Sequence, residues 1–151
     1  MSIALEREFT VRRPAADVWA FLTTPERIAA CFPGAHLLEI VDGTFSGEVD
    51  LGVGPLRTRL QGRAEFREVD EVRRTVLLVA EAAEVEDDGG ASVGMRSHLR
   101  DDGTSTRVEV RLGVRLSGRL DGPIVRRIMA GAAEILFRRF VSCVRDRLEA
   151  A

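Results

Sequence analysis

The chain predicts an α+β domain: a curved antiparallel sheet of about six to seven strands wrapped on one long C-terminal helix, with two short helices after the first strand. Three observations carry this. Period-two alternation of apolar and polar residues recurs up to residue 116, turn signals interrupt it at short intervals, and nothing breaks the helical segment after Pro123. With 151 residues, 45% hydrophobic and 30% charged, the chain fits a single domain over residues 1–151 that is large enough to bury a real core.

Ile3 to Val11 alternates, with Ile3, Leu5, Arg7, Phe9 and Val11 on one face. Pro14 opens a helix over Ala15–Leu22, and Thr24-Pro25 restarts a second one that carries Ile28, Ala29 and Phe32 and ends at Pro33-Gly34. Strands follow. Phe45, Gly47, Val49, Leu51 and Val53 share one face, and Leu56, Thr58, Leu60, Gly62, Ala64 and Phe66 share the next, after the Gly54-Pro55 turn. Thr75–Ala83, Val93–Leu99 and Val108–Leu116 complete the series, separated by Asp87-Asp88-Gly89-Gly90 and by the hairpin signal Asp102-Gly103. Connections this short make the sheet antiparallel. Asp121 reads as the N-cap of the last helix, which runs to about Leu148 with a stripe containing Ile124, Ile128, Ala132, Ile135, Phe140 and Val144. It has to cover the sheet, because no other element can bury that face.

Charge excludes a nucleic-acid partner, since the net value is −2 and all 22 basic residues are arginines spread along the chain. Those on the strands alternate with acidic neighbours and read as a solvated, cross-strand-paired face. Glu6, Arg7 and Glu8 interrupt any apolar signal core, and no apolar run is long enough to span a membrane. The expected location is cytoplasmic. Cys31 and Cys143 lie far apart in segments that both read as helical; a disulfide is possible in principle, but two cysteines in a domain of this size are more often separate buried thiols.

Gly90-Ala91-Ser92-Val93-Gly94 spells the G-x-S-x-G elbow, but Ser92 enters a strand and His98 lies on that same strand with no acid between them. An esterase is not expected. Cys31 and His36 flank Pro-Gly, yet no further ligand completes a zinc shell, and no metal or cofactor is expected. Small residues, Ala130–Ala133 on the helix and Gly62, Ala64, Ala80 and Ala82 on the sheet, oppose one another. Opposed small groups leave apolar volume for a hydrophobic ligand, or else permit close packing.

Val18-Trp19-Ala20-Phe21-Leu22, Pro25-Glu26 and Ala30-Cys31-Phe32-Pro33-Gly34-Ala35 resemble the signature of the carbon monoxide dehydrogenase G-subunit family. Gly54-Pro55, Gly62 and Gly118-Arg119-Leu120 resemble its later landmarks, so the resemblance covers nearly the whole chain. It implies the START-like, Bet v 1-like helix-grip fold. It also implies a non-enzymatic accessory to a molybdenum hydroxylase of the carbon monoxide dehydrogenase type, working through a hydrophobic cavity near the membrane or its quinone pool. Some members carry a linker and a C-terminal membrane anchor. Nothing of that kind follows Leu148, so the expected membrane contact is transient and peripheral, at the inner face.

The first expectation is thus a binder of a quinone, isoprenoid or lipid. Its expected lining residues are Phe32, Leu38, Leu51, Leu60, Val93, Met95, Met129, Ala133 and Phe137, with Cys31, Pro33 and Gly34 at the rim. An alternative is a small cyclase or hydrolase on the same fold. Thr58 and Ser97 are its only inward polar candidates, and a buried ionisable group in the pocket would favour it. A further alternative is an assembly module or homodimer built on the terminal helix. Gly34 is expected at positive φ, with Gly34→Ala costing about 1–2 kcal/mol and affecting the ligand, through Phe32, more than the fold.

Overall fold

In the computed structural model, residues 2–150 are described. Strand β1 (Ser2–Val11) leads into helix α1 (Ala15–Leu22) and helix α2 (Pro25–Ala29). Six strands follow, β2 (Ala35–Val41), β3 (Thr44–Val53), β4 (Leu56–Asp70), β5 (Thr75–Glu84), β6 (Gly90–Asp101) and β7 (Thr106–Ser117), before helix α3 (Pro123–Glu149). The described residues form one antiparallel sheet of seven strands in the order β1-β7-β6-β5-β4-β3-β2, so the first strand returns to pair with the last. The expected fold class is the one observed.

The alternation works as the sequence suggests. Its polar positions pair across strands on the outer face: Arg59 meets Asp50 at 2.8 Å, Gln61 donates to Glu48 at 2.7 Å and Arg100 meets Glu109 at 2.7 Å. Exposed pairs of this kind contribute little to stability, because solvent screens them. On β1, Arg7 falls on the apolar face and is met there by Glu134 of α3, with Nη2 to Oε2 at 2.6 Å.

Helix α3 is about 40 Å long at 1.5 Å per residue. Its C-terminal half, with Phe137, Phe140, Val141, Val144 and Leu148, packs on α1, α2 and the sheet in the larger core cluster. Phe9 and Phe137 meet edge to face with centroids 6.1 Å apart. Its N-terminal half contributes half-buried Val125, Ile128 and Met129 to a smaller cluster around Leu56, Leu60, Leu116 and Leu120.

Four expectations need correction. Asp121 does not cap α3. Residues Gly118–Asp121 form a 3₁₀ turn that buries Leu120, and Gly122 becomes the cap position. Ile124 and Ile135 are 76% and 44% exposed, off the buried stripe, and Ala130 and Gly131 also face solvent. Cys31 and Cys143 are not separate thiols. The turn after α2 packs on the last third of α3, bringing their Cα atoms within 5.4 Å, and the sulfurs are bonded.

The fourth correction concerns Gly34. Its φ of 79° is positive as expected. Its carbonyl also accepts the Asp50 N–H at 3.0 Å, and a β-carbon would overlap the Asp50 carbonyl oxygen, which is backbone and cannot swing aside. Gly34→Ala is therefore expected to destabilise the start of β2 itself, by about 2–3 kcal/mol. A thermal melt should show a midpoint lower by roughly 5–10 °C, and an unchanged midpoint would contradict this packing.

Candidate ligand-binding cavity

Between the inner face of the sheet and α3 lies an apolar cavity of about 310 Å³, at the lower end of the range for small-molecule pockets. It exists because the facing residues are small where the helix crosses. Gly62, Ala64, Ala80, Ala82 and Ala91 line the sheet side, and Ala133 lines the helix side. Gly62 is held to its size, since a β-carbon there would overlap the Glu81 carbonyl oxygen. Larger apolar groups close the ends. Leu78, Met95, Phe45, Phe137 and Phe140 stand towards the main core, and Leu56, Leu116 and Leu120 stand towards the 3₁₀ turn. Leu37, Val49 and Leu51 from β2–β3 and Met129 and Leu136 from α3 are lining residues that remain half-exposed, as do Ile3 and Val114 on the β1–β7 side.

Of the expected lining residues, Phe32, Leu51, Leu60, Val93, Met95, Met129, Ala133 and Phe137 stand on the cavity wall, as does rim residue Pro33. Leu38 does not. A bulge between Leu37 and Glu39 shifts the register of β2, so Leu37 faces the cavity and Leu38 is 62% exposed on the other side. Cys31 is buried behind the wall in its disulfide, and Gly34 lies outside the lining. Phe32 stacks on Phe140 with centroids 5.1 Å apart, one residue from the Cys31–Cys143 bond. The Phe-Pro-Gly break thus forms a pinned wall rather than a free flap.

One inward carboxylate escaped the sequence reading. Glu84 follows Leu78, Ala80 and Ala82 in parity and ends β5 with its side chain 1% exposed. Arg119 holds both carboxylate oxygens, with Nε to Oε1 at 2.7 Å and Nη2 on Oε2. The Gly89 N–H donates to Oε1 at 3.0 Å, and the Thr58 hydroxyl donates to Oε2. Burial pushes the carboxyl up, but Arg119, Thr58 and Gly89 together more than offset it and hold it below the usual range. Thr58 stands between the apolar cavity and a polar cleft that contains Glu84, Arg57, Arg59 and Arg119.

The other sequence candidates do not converge. His36 lies on the outer face, 3.6 Å from Asp50, while Cys31 is bonded elsewhere. His98 pairs with Glu109 at 3.2 Å, and Ser92 sits exposed within β6. Among the described residues no three His, Cys, Asp or Glu side chains gather as metal ligands, and no helix is long and apolar enough to cross a membrane.

Solved structures similar to the chain share its fold at low identity. A conserved protein from Geobacillus kaustophilus is 14% identical, with a TM-score of 0.85 over 99% of this chain and 96% of that one. The ZhuI aromatase/cyclase from Streptomyces sp. R1128 is 16% identical, with a TM-score of 0.71 over 99% and 94%. A START superfamily protein from Mycobacterium smegmatis is 13% identical, with a TM-score of 0.66 over 97% of each chain. No curated protein matches the sequence. Matched from residue 8 to residue 149 by the model of the carbon monoxide dehydrogenase G-subunit (CoxG) family, the chain belongs to that family.

Proposed function

We propose that this protein binds a hydrophobic small molecule (a quinone, isoprenoid or lipid) in the cavity under α3, as a non-enzymatic accessory to a carbon monoxide dehydrogenase-type molybdenum hydroxylase. The apolar cavity carries the reading: about 310 Å³ of volume built from small residues, in a chain of the CoxG family. A packed core has few voids, so a retained one of this size is suited to a guest. Family membership supports the partner enzyme and a working place in the cytoplasm at the inner face of the membrane.

The cyclase fold of the Streptomyces relative keeps an enzymatic reading in view. Glu84 is the buried ionisable group such a reading calls for, but it meets four donors and its carboxyl is held down. A general acid or base works best with a pKa near the working pH and a free face towards substrate. Glu84 offers neither, which favours binding over catalysis.

Filling the cavity tests the proposal. Ala80→Phe puts a ring into the void opposite α3. Organic extraction and native mass spectrometry of the purified protein should find a co-purifying apolar molecule in the parent and at least about ten-fold less in the variant. The thermal midpoint should hold or rise, because filling a void is a common stabilising change. Undiminished ligand in a folded Ala80→Phe protein would place the guest elsewhere.

A further inference from the structure

We infer that Thr58 makes the cavity select ligands that carry a hydrogen-bond donor, an alcohol or hydroquinone hydroxyl, over the matching quinone, ketone or ether. The inference rests on the cavity-binding reading and adds a chemical class to it. Thr58 is the polar residue of the cavity wall whose strand position faces inward. The other polar lining residues, His36, Ser46, Glu48, Arg63 and Glu81, hold outer-face positions: His36 is paired with Asp50, Glu48 accepts from Gln61, and Ser46, Arg63 and Glu81 stand side by side in register across β3, β4 and β5.

A threonine hydroxyl has one hydrogen to give and two lone pairs to offer. Here the hydrogen is committed to Glu84. That carboxylate is itself fixed as an acceptor, because every group around it is a donor: two guanidinium N–H groups, a backbone N–H and the threonine. Turning the Thr58 hydrogen towards a ligand carbonyl would remove a charge-assisted bond from a buried anion. Lone pairs remain for a guest, so a ligand hydroxyl can donate to Thr58 without disturbing the cluster. A lone carbonyl or ether oxygen finds no donor among the other inward-facing side chains of the wall and is buried unsatisfied. A quinone is such a molecule, and its two-electron, two-proton reduced form is not.

The test uses the delipidated full chain and displacement of a fluorescent probe, 1-anilinonaphthalene-8-sulfonate, by farnesol and by farnesyl methyl ether. The alcohol should displace the probe about ten-fold more tightly than the ether. Thr58→Val should weaken farnesol alone and abolish the difference, while Thr58→Ser should keep it, with melting curves confirming that both variants fold. Equal displacement by alcohol and ether in the parent overturns the inference and leaves the cavity-binding reading standing, as does a preference that survives in Thr58→Val. If neither molecule displaces the probe in the parent, the cavity-binding reading fails and the inference fails with it.

Discussion

Cys143→Ser is expected to lower the thermal midpoint of the oxidised protein by roughly 10–15 °C. The Cys31–Cys143 bond joins positions 112 residues apart. In the chain-entropy account a loop of that length removes about 4–5 kcal/mol of freedom from the unfolded chain. For a domain of this size each kcal/mol shifts the midpoint by about 2–4 °C. Cys143 is half-buried at the edge of the main cluster, so the serine itself adds little. Treating the parent with dithiothreitol should therefore reproduce most of the shift. Thiol titration of the denatured protein should rise from none to two on reduction. A midpoint that moves by less than about 3 °C, with the bond shown to be open, would mean that the cross-link constrains little. The same titration on protein recovered from cells under thiol-blocking conditions bears on location, because a reducing cytoplasm opens most disulfides.

Arg119→Met should lower the thermal midpoint at neutral pH by several degrees, and the loss should shrink in acid. Breaking a buried ion pair from one side is severe because the remaining charge stays desolvated. Glu84 is that charge, with its side chain 1% exposed, while Arg119 is 39% exposed, so solvent screens part of the loss. In the parent the Glu84 carboxyl is depressed below its unfolded value. Its stabilising contribution is therefore complete above the ordinary carboxylate range and lost as pH falls through the lowered folded value. Without the guanidinium the strongest opposition to burial is gone, so the folded value of the carboxyl rises. The penalty in the variant is then present at pH 7 and relieved by protonation as the solution is acidified. Melting curves from pH 7 to about 4 should show the parent–variant gap narrowing. Adding Glu84→Gln to Arg119→Met should restore part of the loss at pH 7, since it removes the orphaned charge. A gap that stays constant or widens towards acid would refute this account.

The elements were legible because their signals are local. The alternation of Leu56 to Phe66 and the unbroken segment after Pro123 each state their own period, and α1 begins and ends where Pro14 and the Thr23-Thr24-Pro25 sequence place it. The cavity residues on β3, β4, β6 and α3 follow from parity or helical spacing alone. Phe32 follows from the Pro-Gly break beside it. Leu38 departs from its expected side because a bulge reverses the parity that an ideal strand would keep. Glu84 did carry a signal: it shares the parity of Leu78, Ala80 and Ala82, and extending that strand by one residue would have put a carboxylate on the inner face. Its partner Arg119, 35 residues away, and the pairing of Cys31 with Cys143 are products of tertiary packing, which no local pattern encodes.

The cross-link also constrains how the proposed guest would get in. Helix α3 is anchored at its start by chain continuity through buried Leu120 and near its end by the bond to Cys31. Six of the seven strands, and most of the cavity wall, lie on the covalent ring that this bond closes. A hinge that lifts the whole helix off the sheet is therefore barred while the ring is intact. For the proposed guest that leaves side-chain rotations of half-exposed lining residues such as Leu37, Val49, Met129 and Leu136 as the route, on the nanosecond scale of rotamers rather than the microsecond-to-millisecond scale of hinged elements. A doorway of that kind discriminates by girth rather than by length. Slender chains should then thread it quickly whatever their carbon count, and a bulky ring at the leading end should be the slow step of both arrival and departure.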